Sequence, residues 1–148
     1  MRQQFQNPTG TTFLITEFDQ QNNWIYNNWQ GLLTMENIQQ GSYGILDIIQ
    51  QSQCPYLLTD NTHLLGSWKH GNDWLEKVWI PQALAAGMTY YAHVKAPGVF
   101  GQASVEDMHL RVGSRLPLQL FDEMEDAVAW LREMQALDAK NQGSVSLI

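Results

Sequence analysis

Asp60-Asn61-Thr62 stand where an apolar run, "YLLTD", gives way to polar, small and aromatic residues, "NTHLLGSW". A carboxylate there would lie where open α/β sheets receive ligands, outside the carboxyl ends of the strands. The same residue types also end strands for a local reason, because Asp, Asn and Thr side chains bond the backbone that follows them. That turn explanation is the preferred one. The aromatic residues are the stronger signal. Trp68, Trp74 and Trp79 crowd one loop and helix, and Trp24, Tyr26 and Trp29 crowd a hairpin. Large aromatic side chains ordinarily form core. Trp74, Leu75, Val78 and Trp79 nevertheless span more than a narrow stripe, so part of this surface is expected to meet a ligand or a second subunit. Tyr91 and His93, two apart on a strand, share one face and are placed to line a pocket or a dimer seam, or simply to lie beneath helices.

Other groupings carry less chemistry. His63, His70 and Asp73, with or without Asp60, match no compact metal-ligand spacing. Ser67, His70 and Asp73 are the residue types of a hydrolase triad without a nucleophile elbow. The single cysteine, Cys54, sits in "SQCPY" with no second cysteine and no basic neighbour to lower its pKa, and nothing pairs it with His93. The expectation is therefore no catalytic residue, no metal and no cofactor.

Positioning these side chains requires a sheet and covering helices. The 148 residues suit one domain with its own core, and 44% are hydrophobic. Eight basic against fifteen acidic residues leave a net charge of −7, which repels phosphate backbones and anionic lipid. No run approaches the roughly 18 apolar residues of a membrane span. Nucleic acid binding and membrane insertion are not expected, and a cytoplasmic location is.

The run "TFLITEFD" from Thr12, the turn "QQNN" and the run "WIYNNWQG" predict a β-hairpin. Thr34 caps a predicted helix with Met35, Ile38, Ile45 and Ile49 at helical spacing. Pro55 precedes a central strand, "YLLTD". A second helix is expected from about Asp73, kinked or restarted at Pro81 and closed by Gly87. The run "MTYYAHVK" predicts a fourth strand, and Ser104 with Asp107 the opening of a third helix. Residues Arg115 to Phe121 read as a fifth strand, on an edge because of Pro117. Asp122 and Glu125 cap the last helix, which carries Ala127, Val128, Leu131 and Met134. The expected architecture is α/β: a five-stranded mixed sheet, an antiparallel hairpin followed by parallel strands, with about four helices. One domain spans residues 1–137, and 138–148 form a flexible tail.

This order of elements, with "WQG" before a capped helix, "YLLTDN", and "FDEMEDAVAWL" near the C-terminus, resembles the bacterial SpoIIAA-like proteins of the STAS/SEC14-like group, over about Thr12 to Leu137. The resemblance implies a β-α superhelical layer with strands in sequential order, and a regulatory or protein-binding role without catalysis, with a homodimer expected and a protein partner as the other contact. The SEC14-like side of the group implies the alternative, a carrier or sensor of a small apolar ligand or lipid. In anti-sigma-factor antagonists of that superfamily a D-S-S or D-S-T loop carries a phosphorylated final hydroxyl residue. Asp60-Asn61-Thr62 falls on that loop and makes Thr62 the candidate phosphosite, although Asn61 replaces a serine and His63 a glycine. The ligand or partner surface expected from residues and resemblance together comprises Asp60, Asn61, Thr62, Trp68, Trp74, Trp79 and Tyr91.

Overall fold

A computed structural model describes residues 1–146. Six strands form one sheet in sequential order: β1 (Arg2–Gln6), β2 (Thr12–Asp19), β3 (Trp24–Gly31), β4 (Tyr56–Leu64), β5 (Tyr90–Val94) and β6 (Leu118–Phe121). The first two pairings are antiparallel and the remaining three parallel. The α/β class and the mixed sheet are as expected, but the sheet has six strands rather than five. The additional one, β1, has the sequence RQQFQ and a single apolar residue. It is an edge strand that lends only Phe5 to the core side, so hydrophobic alternation could not reveal it. Phe13 is an extra residue opposite β1, since Phe5 pairs with Leu14 and Gln6 with Thr12. The resulting bulge accommodates a residue that the ladder does not pair.

Helix α1 (Met35–Ser52) connects β3 to β4. Thr34 caps it as expected: its Oγ1 accepts from the Asn37 N–H at 3.1 Å, and Asn37 Oδ1 accepts from the Thr34 N–H at 3.2 Å. Gly41 lies where the helix approaches the sheet, and a Cβ there would come within 2.6 Å of the Trp29 ring. The helical cost of glycine thus permits close packing of α1 on β3.

Between β4 and β5 the chain makes a short 3₁₀ turn (Lys69–Gly71), then α2 (Asn72–Trp74), a π-helical turn (Leu75–Trp79) and α3 (Ile80–Ala86). The break expected at Pro81 is realised as this wider turn, in which the Ile80 N–H reaches back to the Leu75 carbonyl. Proline lacks the N–H that a continuous helix would use. Gly87, at φ 112°, closes α3, and its N–H reaches the carbonyls of Ala83 and Leu84.

Helix α4 (Val99–Val112) begins five residues earlier than expected. Ser104 and Asp107, anticipated as its opening, lie within it. Pro117 falls immediately before β6, which pairs with β5 alone and is an edge strand as Pro117 suggested. Helix α5 (Met124–Ser146) follows. Asp122, expected as its cap, pairs with Lys95 at 3.0 Å.

The expected flexible tail from residue 138 is instead part of α5, with Leu147 and Ile148 outside the described residues. Polar composition hid this continuation, whose first residue, Asp138, meets the sheet through a carboxylate rather than an apolar side chain. Asp138 accepts hydrogen bonds from the Tyr56 and Tyr90 hydroxyls, the latter at 3.0 Å. Those two rings stack with centroids 5.4 Å apart.

Strand parity assigns the layers. Leu57, Thr59, Tyr91 and His93 point toward α1, the π turn, α3 and α4, whereas Tyr56, Tyr90 and Phe121 point toward α5. The parallel half is therefore covered on both sides, as parallel sheets require. Arg2, Gln4, Ile15, Glu17 and Tyr26 lie on the α5 side of the antiparallel half, where the burial is only partial or absent. Antiparallel strands tolerate one wet face. Among the described residues no helix is long and apolar enough to cross a membrane.

Candidate functional site

A row of polar side chains crosses the sheet beneath the helical layer. Thr16 is paired in register with Asn27, Asn27 with Thr59, and Thr59 with His93. All four are at most 2% exposed. The Thr16 hydroxyl donates to Asn27 Oδ1 at 2.7 Å, and Asn27 Nδ2 donates to Thr59 Oγ1 at 3.3 Å. Desolvating Thr16, Asn27 and Thr59 is tolerable because they bond one another.

The row ends at a cavity of about 50 Å³ between the sheet and the helices. Its floor includes Trp29, Thr59, Asn61, Tyr91, His93 and Leu118, and its walls come from α1, the π turn, α3 and α4. The wide π turn places both Leu75 and Trp79 on this wall. Trp68, in the segment after β4, covers His93, with rings nearly parallel at 11° and centroids 5.9 Å apart. Tyr91 also stacks on His93, at 5.6 Å. Among the described residues, no Lys, Arg, Asp or Glu side chain lines the cavity.

Ser104 fixes this covering segment to α4. Its hydroxyl accepts from the Trp68 N–H at 3.1 Å and donates to the Phe100 carbonyl at 2.8 Å. Next to it, the fully buried Asn72 donates through Nδ2 to the Ser104 carbonyl at 2.9 Å and to Asp107 Oδ2 at 3.0 Å. Neither anchor was identified as such from sequence. Only long-range packing distinguishes Ser104 from the helix-opening serine that its sequence suggested.

Three polar atoms at the cavity lack hydrogen-bond partners: Asn61 Oδ1, Trp68 Nε1 and His93 Nδ1. Their residues are 3%, 6% and 2% exposed. Asn61 Nδ2 donates to His93 Nε2 at 2.7 Å, which leaves the His93 proton on Nδ1. Burial pushes the His93 pKa down to about 3, against the opposing charge of Asp60, so the ring is neutral near pH 7. The cavity consequently presents two N–H donors and one carbonyl acceptor in an apolar, uncharged setting. An unpaired buried polar group costs about 1–3 kcal/mol, and a bound water or solute would offset that cost.

The residues predicted from sequence divide between locations. Asn61, Trp68, Trp79 and Tyr91 meet at the cavity. Trp79 belongs to the surface expected to meet a ligand or a second subunit. It is 3% exposed, donates through Nε1 to the Ser42 carbonyl at 2.6 Å, and meets Tyr91 edge-on at 6.5 Å. Trp74 lies apart from the cavity, half-buried and edge-on to the exposed Tyr43 at 5.4 Å. His93, recognised by its shared parity with Tyr91 but omitted from the expected surface, is central.

Asp60 faces the other side of the sheet. It is buried, and its Oδ2 accepts from the Tyr26 hydroxyl at 2.9 Å. Burial, then the Asp60 hydrogen bond, raises the Tyr26 pKa. Asp60 Oδ1 accepts from both the N–H and the hydroxyl of Thr62, at 3.0 and 2.7 Å. This is the local closure anticipated for such residues, but β4 does not end there. It continues to Leu64 through a register shift between the pairs Asn28–Asp60 and Gln30–His63. Asp60-Asn61-Thr62 thus forms an irregular step within a strand, not its exit from the sheet.

Thr62 is exposed. Thr62→Ala is expected to cost about 0.5–1.5 kcal/mol through loss of the hydroxyl bond. Thr62→Glu should cost more, since it also brings a second carboxylate beside Asp60. Urea denaturation of the three proteins checks the order, and an equally stable Thr62→Glu would contradict it.

Cys54 is buried, with Sγ 3.6 Å from the Asn23 carbonyl, and burial raises its pKa. Among the described residues, no group of three His, Cys, Asp or Glu side chains is arranged to hold a metal ion. Asp73 pairs with Lys77 at 2.8 Å and with Arg111 at 3.4 Å. The chain matches no family model, no curated protein and no solved structure in comparisons with known proteins.

Proposed function

We propose that this protein is a non-enzymatic binding domain that senses or carries a small, largely apolar molecule in the cavity beneath Trp68. The observation that carries the reading is the combination of an apolar, aromatic lining with three unpartnered polar atoms on Asn61, Trp68 and His93. Ligand pockets commonly have such a composition, with a few placed polar groups fixing orientation. A space of about 50 Å³ accommodates a few water molecules in the closed state. Lifting Trp68 would enlarge it, and its loop is tied to α4 through Ser104. A small ligand fits this arrangement better than a lipid acyl chain does.

The test is a fragment titration of the isotopically labelled full chain, following the Trp68 indole N–H and the His93 ring by NMR. Small apolar fragments should shift both signals together at millimolar concentration, and Trp68→Ala should weaken their binding at least fivefold. If no fragment moves either signal, the reading fails.

A regulatory role through protein contact is the second reading, in line with the SpoIIAA-like resemblance. It is favoured by the exposed Leu32 and Leu65, 69% and 66% accessible, on neighbouring strand tips joined by the Leu65 N–H to Gly31 carbonyl bond of 2.9 Å. Exposed apolar neighbours of this kind suit a contact with a partner or a second copy. Sedimentation of wild type and Leu65→Ser tests self-association. A concentration-dependent dimer weakened by the substitution supports it, and a wild type that stays monomeric at high micromolar concentration removes the homodimer.

A further inference from the structure

We propose that the cavity is selective for a small uncharged amide, a primary carboxamide or lactam carried on a compact aromatic or branched body. The inference rests on the reading of the cavity as a ligand site and concerns the chemistry it selects. His93 Nδ1–H and Trp68 Nε1–H offer donors, while Asn61 Oδ1 offers an acceptor. An amide carries the complementary pair, with its carbonyl accepting from the ring N–H groups and its own N–H donating to Asn61. A ketone or ether would leave Asn61 Oδ1 unpaired, and an amine protonated at pH 7 has no lone pair to accept from either ring donor. A site with buried hydrogen-bonding groups discriminates strongly against analogues that lack their partners.

Charge is selected against by the same surroundings. No Lys, Arg, Asp or Glu side chain among the described residues lines the cavity, and its remaining polar members, Ser42, Thr59 and Tyr91, carry hydroxyl groups. A carboxylate brought here would lose its hydration without gaining a countercharge. The neutral state of His93 leaves it a donor to a carbonyl rather than a cationic partner for an anion. The apolar body would lie against Trp79, Tyr91 and the aliphatic walls, with Trp68 over it in a raised position, because the closed space of about 50 Å³ is smaller than the roughly 150 Å³ that holds benzene.

Benzamide, acetophenone, toluene and benzoate form a test series of similar shape. Each would be titrated at pH 7 into the full chain, with binding read from the Trp68 indole N–H and His93 ring signals. Benzamide should bind at least tenfold more tightly than acetophenone or toluene, and benzoate should bind least. In Asn61→Leu the benzamide advantage over toluene should fall to less than threefold. If that variant does not fold, the wild-type ranking alone decides the matter. Toluene or acetophenone equal to benzamide would overturn the amide preference while leaving a small-molecule site. Tighter binding of benzoate would overturn it as well. If none of the four moves either signal, with the polar atoms bridged by water alone, both the preference and the ligand-site reading are overturned.

Discussion

Trp79→Ala is expected to lower the folding stability of the monomer by about 3–5 kcal/mol, the range for removing a buried large aromatic side chain. Trp79 is almost wholly enclosed by its own chain. Its ring bridges the π turn to the sheet, where it meets Tyr91, while Nε1 bonds to the Ser42 carbonyl of α1. Truncation would both open a void and remove that donor. Trp79→Phe should retain most of the packing and lose about 1 kcal/mol for the hydrogen bond, with some further cost from the smaller ring. Urea denaturation followed by circular dichroism measures both, while sedimentation records association. A loss below 1 kcal/mol in Trp79→Ala, accompanied by weaker self-association, would return Trp79 to the role of an intermolecular anchor.

Acidification should destabilise the protein through His93 well before the carboxylates dominate. In the folded chain burial holds its pKa down to about 3, whereas an unfolded histidine titrates near 6.5. The stabilising contribution of the neutral ring is therefore fully present above about pH 6.5. As pH falls below that value, the unfolded chain takes up a proton that the folded chain refuses, until the folded pKa is reached. Between pH 6.5 and 5 the expected loss is about 2 kcal/mol, from roughly 1.4 kcal/mol per pH unit. His93 is 2% exposed, so solvent screening reduces this little.

Asp19 and Asp107 have pKa values lowered chiefly by side-chain hydrogen bonds from Asn22 and Asn72. Their stabilising contributions are present above the ordinary carboxylate pKa near 4 and are lost below it, so their window lies under that of His93. The informative measurement is the difference in unfolding free energy between wild type and His93→Leu across pH 4.5–7.5. The variant should be less stable at neutral pH, because Asn61 Nδ2 loses its acceptor, yet flatter with pH between 6.5 and 5. Parallel curves would show that His93 is not held neutral by the fold.

Several elements could be read from local chemistry because their causes are local. Thr34 caps α1 with its own hydroxyl, Gly87 adopts the left-handed conformation that ends α3, and Pro117 lies beside an edge strand whose pairing does not need its missing donor. The period-two rule places Tyr91 and His93 on one face from their spacing alone. By contrast, β1 contains one apolar residue and is held by the ladder to β2, while Asp138 of α5 is bonded by two tyrosine hydroxyls of the sheet. Neither leaves a hydrophobic period in the sequence.

The sequence by itself determined the α/β class, the mixed character of the sheet, the hairpin, the capped first helix and the aromatic concentration around residues 68–79. These follow from backbone preferences and apolar spacing, which act over a few residues. Only the tertiary structure decided that Asn61, Trp68, Trp79, Tyr91 and His93 share a cavity, while Asp60 faces the opposite side and Trp74 packs against Tyr43. The reason is that the register shift in β4 and the Ser104 anchor set side-chain directions through contacts between segments more than thirty residues apart, and these bring the locally formed π turn before Pro81 against the sheet. Residue type supplied the donors and rings, but packing determined which were left unpartnered and what they faced.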